Sequence, residues 1–296
     1  MTHAGYAELQ ALSNFSFLEG ASHAEELVLT ARALGLAALA IADRNSVAGL
    51  VRGHLAAKEQ GLRFLPAARL DLDDGTSFLC YPTDRAAWGR LCRLISHGRM
   101  GAPKGRCRID RAGLLAHAEG QVLVALAPET PDAAFRGRLR EDAAAFAGTA
   151  ALPLHLGAST LFRGDDQRRL DDLAALTAAC ATPLVALGDV RFHSPARRPL
   201  ADVLSAIRLR CAVDALGLAA EANAERHLKP PGEVARLFAR HPEAIARTGD
   251  IVRACRFSLD ELRYEYPDEI AEPGRTTQQT LVARAWQGAD ERWPGG

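Results

Sequence analysis

From Glu8 to about Gly188 the chain repeats one rhythm: a short apolar run, then a segment whose apolar residues recur at i, i+3 and i+4. The runs predict strands at Glu8–Leu12, Ala37–Ala42, Arg63–Leu72, Ser77–Pro82, Val122–Ala127, Ala151–Leu156 and Leu184–Gly188. Between them the pattern predicts helices opening at Ser22 and at Ser46, and helices over Arg85–Ser96, Arg111–Ala118, Ala133–Ala147 and Asp165–Ala181. Asp73-Asp74-Gly75 between two strand-like runs is a hairpin signal. Strands separated by helices lie parallel, so the pattern implies an α/β fold with one antiparallel insertion. Neither G-x-G-x-x-G nor G-x-x-x-x-G-K-[ST] follows a strand, which disfavours nucleotide-binding sheets and leaves a (β/α) barrel as the better fit.

After His193 the strands cease and the sequence reads as mainly helical to about Arg263, interrupted by Pro230-Pro231 and Pro242. The expected organisation is therefore a barrel over residues 1–197, a helical segment over 198–266, and a linker with an unfinished amphipathic helix over 267–296. The ending WPGG reads as a truncation, because a lone helix is marginal in water.

Composition limits the function classes. With 48% hydrophobic and 24% charged residues the chain is globular, and 36 Lys+Arg against 36 Asp+Glu give no overall attraction to a polyanion. No apolar run approaches the ~20 residues of a spanning helix, and no signal-peptide pattern opens the chain, so the expected location is the cytoplasm. The six cysteines contain no C-x-x-C pair, which argues against a zinc knuckle or disulfide framework. Ser13 and Ser16 lack the context of a nucleophile elbow, and Ser13 with Asn14 reads as shaping the turn after the first strand. His155 and His193, near strand ends, read as solvent-facing or hydrogen-bonded side chains rather than ligands.

In α/β proteins, strand ends carry the site. The end of the first strand offers Gln10, Ala11 and Leu12, none of which does acid–base or metal chemistry. The stretches LSNFSFLEGASH, LAALAIADRNSVAGL, AARLDL, LVALGDVRFH, AERHLKPPGEVARLF and FSLDELRYEYPDE together resemble the N-terminal region of bacterial DNA polymerases of the polymerase III alpha-subunit type, above all the error-prone branch. The resemblance implies a polymerase and histidinol phosphatase (PHP) domain, a distorted (β/α)7 barrel, followed by the helical start of a polymerase core. Working members carry H-x-H, T-D-H, a glutamate and D-x-H on successive strand ends. Such ligands hold two or three divalent ions that activate water and clamp a phosphoester.

Carried over position by position, Gln10 and Leu12 replace H-x-H, and Ala42-Asp43-Arg44 replaces T-D-H. Arg69 stands for the glutamate, and Asp189-Val190-Arg191 replaces D-x-H. Guanidinium has no lone pair for a metal, so the resemblance implies a degenerate site without metal or catalytic residues. The expectation is that Arg44, Arg69 and Arg191 pair with Asp43 and Asp189.

The segment from Arg85 to Arg108 contains no acid. It presents Arg90, Arg93, Arg99, Lys104, Arg106 and Arg108, with Trp88 among them, as candidate phosphate-backbone contacts.

The expected function is the PHP portion of an error-prone, translesion-type DNA polymerase. It would be structural in itself, with magnesium and DNA used by the full enzyme, and with other mutasome proteins and the sliding clamp as partners. The alternatives are a free-standing metal-dependent phosphoesterase with altered ligands and a non-enzymatic interaction module.

Overall fold

A computed structural model describes residues 5–263 and 271–295. His3, the tyrosine-containing end of FSLDELRYEYPDE and the first part of the expected linker lie outside the described residues. Seven strands form one sheet in chain order: β1 (Ala7–Ala11), β2 (Ala38–Arg44), β3 (Arg63–Asp71), β4 (Ser77–Pro82), β5 (Gln121–Leu126), β6 (His155–Ala158) and β7 (Leu184–Ala186). The pairs β1–β2–β3 and β5–β6–β7 are parallel, while β4 runs antiparallel to both neighbours. The insertion is the hairpin expected at Asp73–Gly75, where Gly75 takes φ 82°. Beyond β7 the chain returns to β1: Leu12 N donates to Val190 O (2.9 Å) and Val190 N to Gln10 O (2.8 Å), bridging β1 to the segment that follows the last strand. This is a distorted (β/α)7 barrel.

Alternation along the strands sorts the core. Ala7, Leu9, Ala38, Ala40, Ala42, Leu65, Ala67 and Tyr81 share one packed cluster with Ile251 of a late helix (Pro242–Ala254) and Cys255 just past its end. The opposite side of the strands supplies Leu39, Ile41, Phe64, Leu70, Phe78 and Leu123 to a larger cluster. There they meet α1 (Ala24–Ala33), α2 (Leu50–Gln60), α3 (Arg85–Met100), α4 (Arg111–Ala116), α5 (Ala133–Phe146) and α6 (Asp166–Cys180). Small residues on the first set of positions leave room inside the curl, consistent with the packed interior of a barrel.

The helical segment contains α7 (Arg198–Leu209), α8 (Pro231–Leu237) and α9 (Pro242–Ala254). Thr248 of α9 is fully buried and its Oγ1 accepts from Ala7 N (3.3 Å), so this helix packs directly on β1. One compact unit therefore runs as far as Glu261, across the change of rhythm at residue 197. A second unit, Leu262–Gly296, contains α10 (Thr277–Arg292), whose Thr276 and Gln279 cap each other's backbone N–H groups.

Three boundaries differ from the sequence expectation for identifiable reasons. The cap of α1 is His23, with Glu26 Oε2 accepting from His23 N (2.8 Å); Ser22 turns instead to His193, meeting its Nδ1 (2.8 Å) and accepting from its N–H (2.9 Å). Helix α2 begins at Leu50 because Ser46 to Gly49 are spent in a turn. Strand β6 begins at His155 rather than ending near it, and that histidine is buried, which depresses its pKa.

Candidate functional site: a strand-end network of serines and ion pairs

The ends of β1, β2 and β3 and the turn after β7 converge, as the barrel requires. Gln10 Nε2 donates to Asp189 Oδ1 (2.9 Å), tying β1 to the turn after β7. Asp189 sits at φ 48°, and Asn45, just past β2, at φ 46°. Left-handed backbone at non-glycine residues is uncommon, and Asn and Asp are the side chains that tolerate it best.

The carboxylates are not paired as the sequence suggested. Asp43 is fully buried and meets no arginine. Its Oδ1 accepts from Ser13 N (2.8 Å) and Ser16 Oγ (2.7 Å), and its Oδ2 accepts from Ser13 Oγ (2.7 Å). Burial raises its pKa, against the pull of these serine hydrogen bonds. The reason that Arg44 does not reach it is the two-residue period of the strand: neighbouring side chains point to opposite faces. Arg44, with its side chain 48% exposed, pairs with Glu19 (2.5 Å) and Asp71. Arg69 lies opposite Arg44 in the β2–β3 register, and its Nε donates to the same Asp71 (2.8 Å). Burial would lift the Asp71 carboxyl, but Arg69, Ser77 and Arg44 together hold it below the ordinary range.

Asp189 also takes a different cation. It pairs with Arg226, while Arg191 binds Glu221 (3.0 Å), which lies 3.6 Å from Arg226 as well. Burial and the neighbouring Arg226 both lower the Arg191 pKa. These groups line a cavity of about 240 Å³ together with Phe162, Arg163 and Asn223. None of the expected pairs forms: Arg44 and Arg69 take Asp71, Arg44 also takes Glu19, Arg191 takes Glu221, and Asp189 takes Arg226.

A metal does not fit this arrangement. Both oxygens of Asp43 already accept hydrogen bonds, from Ser13 and Ser16, and Gln10 offers its N–H₂ rather than a lone pair to Asp189. Leu12 is fully buried and apolar. Space is short too, since a Cβ on Gly49 would lie 2.5 Å from Asp43 Oδ2 and 2.6 Å from Ser13 Oγ. Among the described residues no three His, Cys, Asp or Glu side chains stand close enough to hold an ion.

Sequence reasoning missed Glu8. It lies within β1 and is 2% exposed; its Oε1 accepts from Gln10 N (2.8 Å) and Gly188 N (3.1 Å), and its Oε2 from Tyr6 Oη (2.7 Å). Burial pushes its pKa from 4.5 to about 7, with Asp189 adding to the rise and the three donors opposing it. The one signal was a charged residue inside an otherwise apolar run.

A raised carboxyl pKa means that the folded chain holds the proton more tightly than the unfolded one. The contribution is stabilising below about 4.5 and is lost as pH rises through about 7. A shift of that size corresponds to ~3 kcal/mol. Glu8→Gln can satisfy the same partners, its oxygen accepting from both backbone N–H groups and its amide donating to Tyr6 Oη. The variant is expected to gain stability over the parent steadily between pH 5 and 8 in urea titrations.

The basic segment divides. Arg90 is 3.4 Å from Glu119 and donates to its carbonyl, so it is neutralised. Trp88 stacks on Phe257 at 5.3 Å between centroids and is packed rather than offered to a ligand. Arg93, Arg99, Lys104, Arg106 and Arg108 are exposed.

Comparison with known proteins agrees with this architecture. Residues 8–154 match the model of the PHP domain. An error-prone DNA polymerase of Caulobacter vibrioides is 48% identical over 292 residues, which cover 98% of this chain and 27% of that protein. Error-prone DNA polymerase 1 of Agrobacterium fabrum is 46% identical over 291 residues, covering 98% and 26%. A solved amidohydrolase from Chromobacterium violaceum has a TM-score of 0.47 and 15% identity over 63% of this chain and 88% of that one. The chain is a PHP-domain protein. Within that class it belongs to the PHP-bearing portion of the error-prone DNA polymerase family, and it spans about a quarter of the length of those relatives.

Proposed function

We propose that this chain is the structural PHP portion of a damage-tolerant, error-prone DNA polymerase and that its strand-end site hydrolyses nothing. The observation that supports this most strongly is the state of Asp43: its carboxylate is consumed by Ser13 and Ser16, while Arg44, Arg69 and Arg191 stand on the strand ends where a phosphoesterase would present ligands. Guanidinium groups engaged with Asp71, Glu19 and Glu221 brace the barrel mouth instead. The full-length enzyme would extend a DNA primer with deoxynucleotides, using magnesium held by carboxylates outside this sequence. Other mutasome proteins and a sliding clamp are its proposed partners, and the cytoplasm its proposed location. No described helix is long and apolar enough to cross a membrane.

The test is hydrolysis. The chain should release no nitrophenol from bis-p-nitrophenyl phosphate, and no nucleotide from a 3′-labelled primer, when supplied with Mn²⁺, Mg²⁺ or Zn²⁺. Metal-dependent hydrolysis that disappears in Asp43→Ala and Asp189→Ala would favour the phosphoesterase reading.

A further inference from the structure

Four cations, Arg99, Lys104, Arg106 and Arg108, lie where α3 ends and the following loop turns back, and a fifth, Arg93, lies about two turns earlier on the helix. The loop is fixed against the last turn of the helix. Arg108 N donates to Gly98 O (2.9 Å), and a Cβ on Gly98 would lie 2.7 Å from Arg108 O, so only glycine permits this approach. Arg106 N closes a turn on Pro103 O (2.9 Å), and Asp73 N holds Ile109 O (3.0 Å) at the foot of the loop.

None of the five has a carboxylate at ion-pair distance among the described residues, whereas Arg90 before them and Arg111 after them are both paired. Asp110, next to the loop, is occupied in capping α4 through Gly113 N (2.7 Å). Arg99 is held without being neutralised: its Nε and Nη2 donate to the carbonyl of Asn45 (3.2 and 2.8 Å), which fixes the guanidinium and leaves its charge in place. Asn45 directly follows β2, so the positive surface begins at the lip of the strand-end site. Concentrating unpaired like charge costs a fold free energy through self-repulsion, in a chain whose charges sum to zero as a whole.

We propose that the end of α3 and its return loop form a docking surface for the sugar–phosphate backbone of DNA. Exposed, uncompensated cations on a braced loop suit a ligand with regularly spaced phosphates, and release of its counterions drives the association. The choice of DNA among polyanions rests on the polymerase reading above.

The experiment is fluorescence anisotropy of the chain with a labelled DNA single strand and with its duplex, titrated across salt concentration. Arg99 is left intact because it holds Asn45. Arg93→Ala/Lys104→Ala/Arg106→Ala/Arg108→Ala should weaken binding at low salt by at least about tenfold and flatten the slope of log K against log salt by about 2–4. A control that removes four exposed cations elsewhere (Arg136, Arg140, Arg208 and Arg210) should bind as the parent does. If the fourfold variant does not fold by circular dichroism, Lys104→Ala/Arg106→Ala on the loop alone should still show a smaller loss of the same kind. Equal losses in the loop variant and the control would overturn the proposal, as would unchanged DNA binding in the loop variant. Loss of poly-glutamate binding with DNA binding intact would assign the surface to an acidic protein instead. Anisotropy reports nothing about hydrolysis, so failure here leaves the reading of the strand-end site standing.

Discussion

Asp43→Ala should destabilise the chain by about 2–4 kcal/mol, read as a lower urea midpoint with an unchanged slope. The carboxylate is fully buried and serves three donors. The two serine hydroxyls can rotate toward other acceptors, but the Ser13 N–H is fixed by the backbone and loses its one partner among the described residues. Asp43→Asn should cost much less, about 1 kcal/mol, because its oxygen can keep Ser13 N and Ser16 Oγ while its amide donates to Ser13 Oγ. This ordering separates the two roles open to Asp43. A hydrogen-bond hub tolerates the amide and not the alanine; a metal ligand would be abolished by both.

Gly20→Ala should be at least as damaging, at ~3 kcal/mol or more, measured in the same titration. The turn after β1 folds so tightly that an added Cβ would lie 2.0 Å from Ser13 O and 2.4 Å from Ser13 C. Both are backbone atoms, so no side chain can swing aside. Asn14 N, next along, donates to Ser22 O (2.8 Å), and Ser13 N is held by Asp43, which leaves the turn little freedom to open. Gly137 is the internal control: it lies in α5 with nothing within 4 Å of its Cβ position. Gly137→Ala should be neutral or stabilising by up to ~1 kcal/mol, since alanine favours helix.

Much of the barrel was legible because its strands are apolar runs bounded by turn residues, and its helices follow the 3.6-residue period. The vestigial positions were legible by their place at strand ends. The partners of those positions were not. Glu221 and Arg226 fall in a stretch that reads as part of a mainly helical segment; the structure has neither helix nor strand there, and only the fold brings them to Asp189 and Arg191. Asp43 and Arg44 are neighbours in sequence, which suggested a shared cluster, yet strand alternation buries one and exposes the other. Glu8 escaped because one carboxylate in an apolar strand has no spacing to read; its meaning lies in Tyr6 and Gly188, which reach it from either side. Ser13 read as a turn residue, but with Ser16 it also fills both oxygens of the carboxylate that a metal would have used.

The most direct test of the central claim, that this barrel mouth is held by hydrogen bonds and ion pairs instead of metal, is the metal content and melting temperature of the chain purified from metal-supplemented medium. The account predicts substoichiometric zinc, manganese and iron, and the same melting temperature with EDTA as with added Mn²⁺ or Zn²⁺. One or more equivalents of bound metal per chain, lost in Asp43→Asn and accompanied by a lower melting temperature in EDTA, would contradict it.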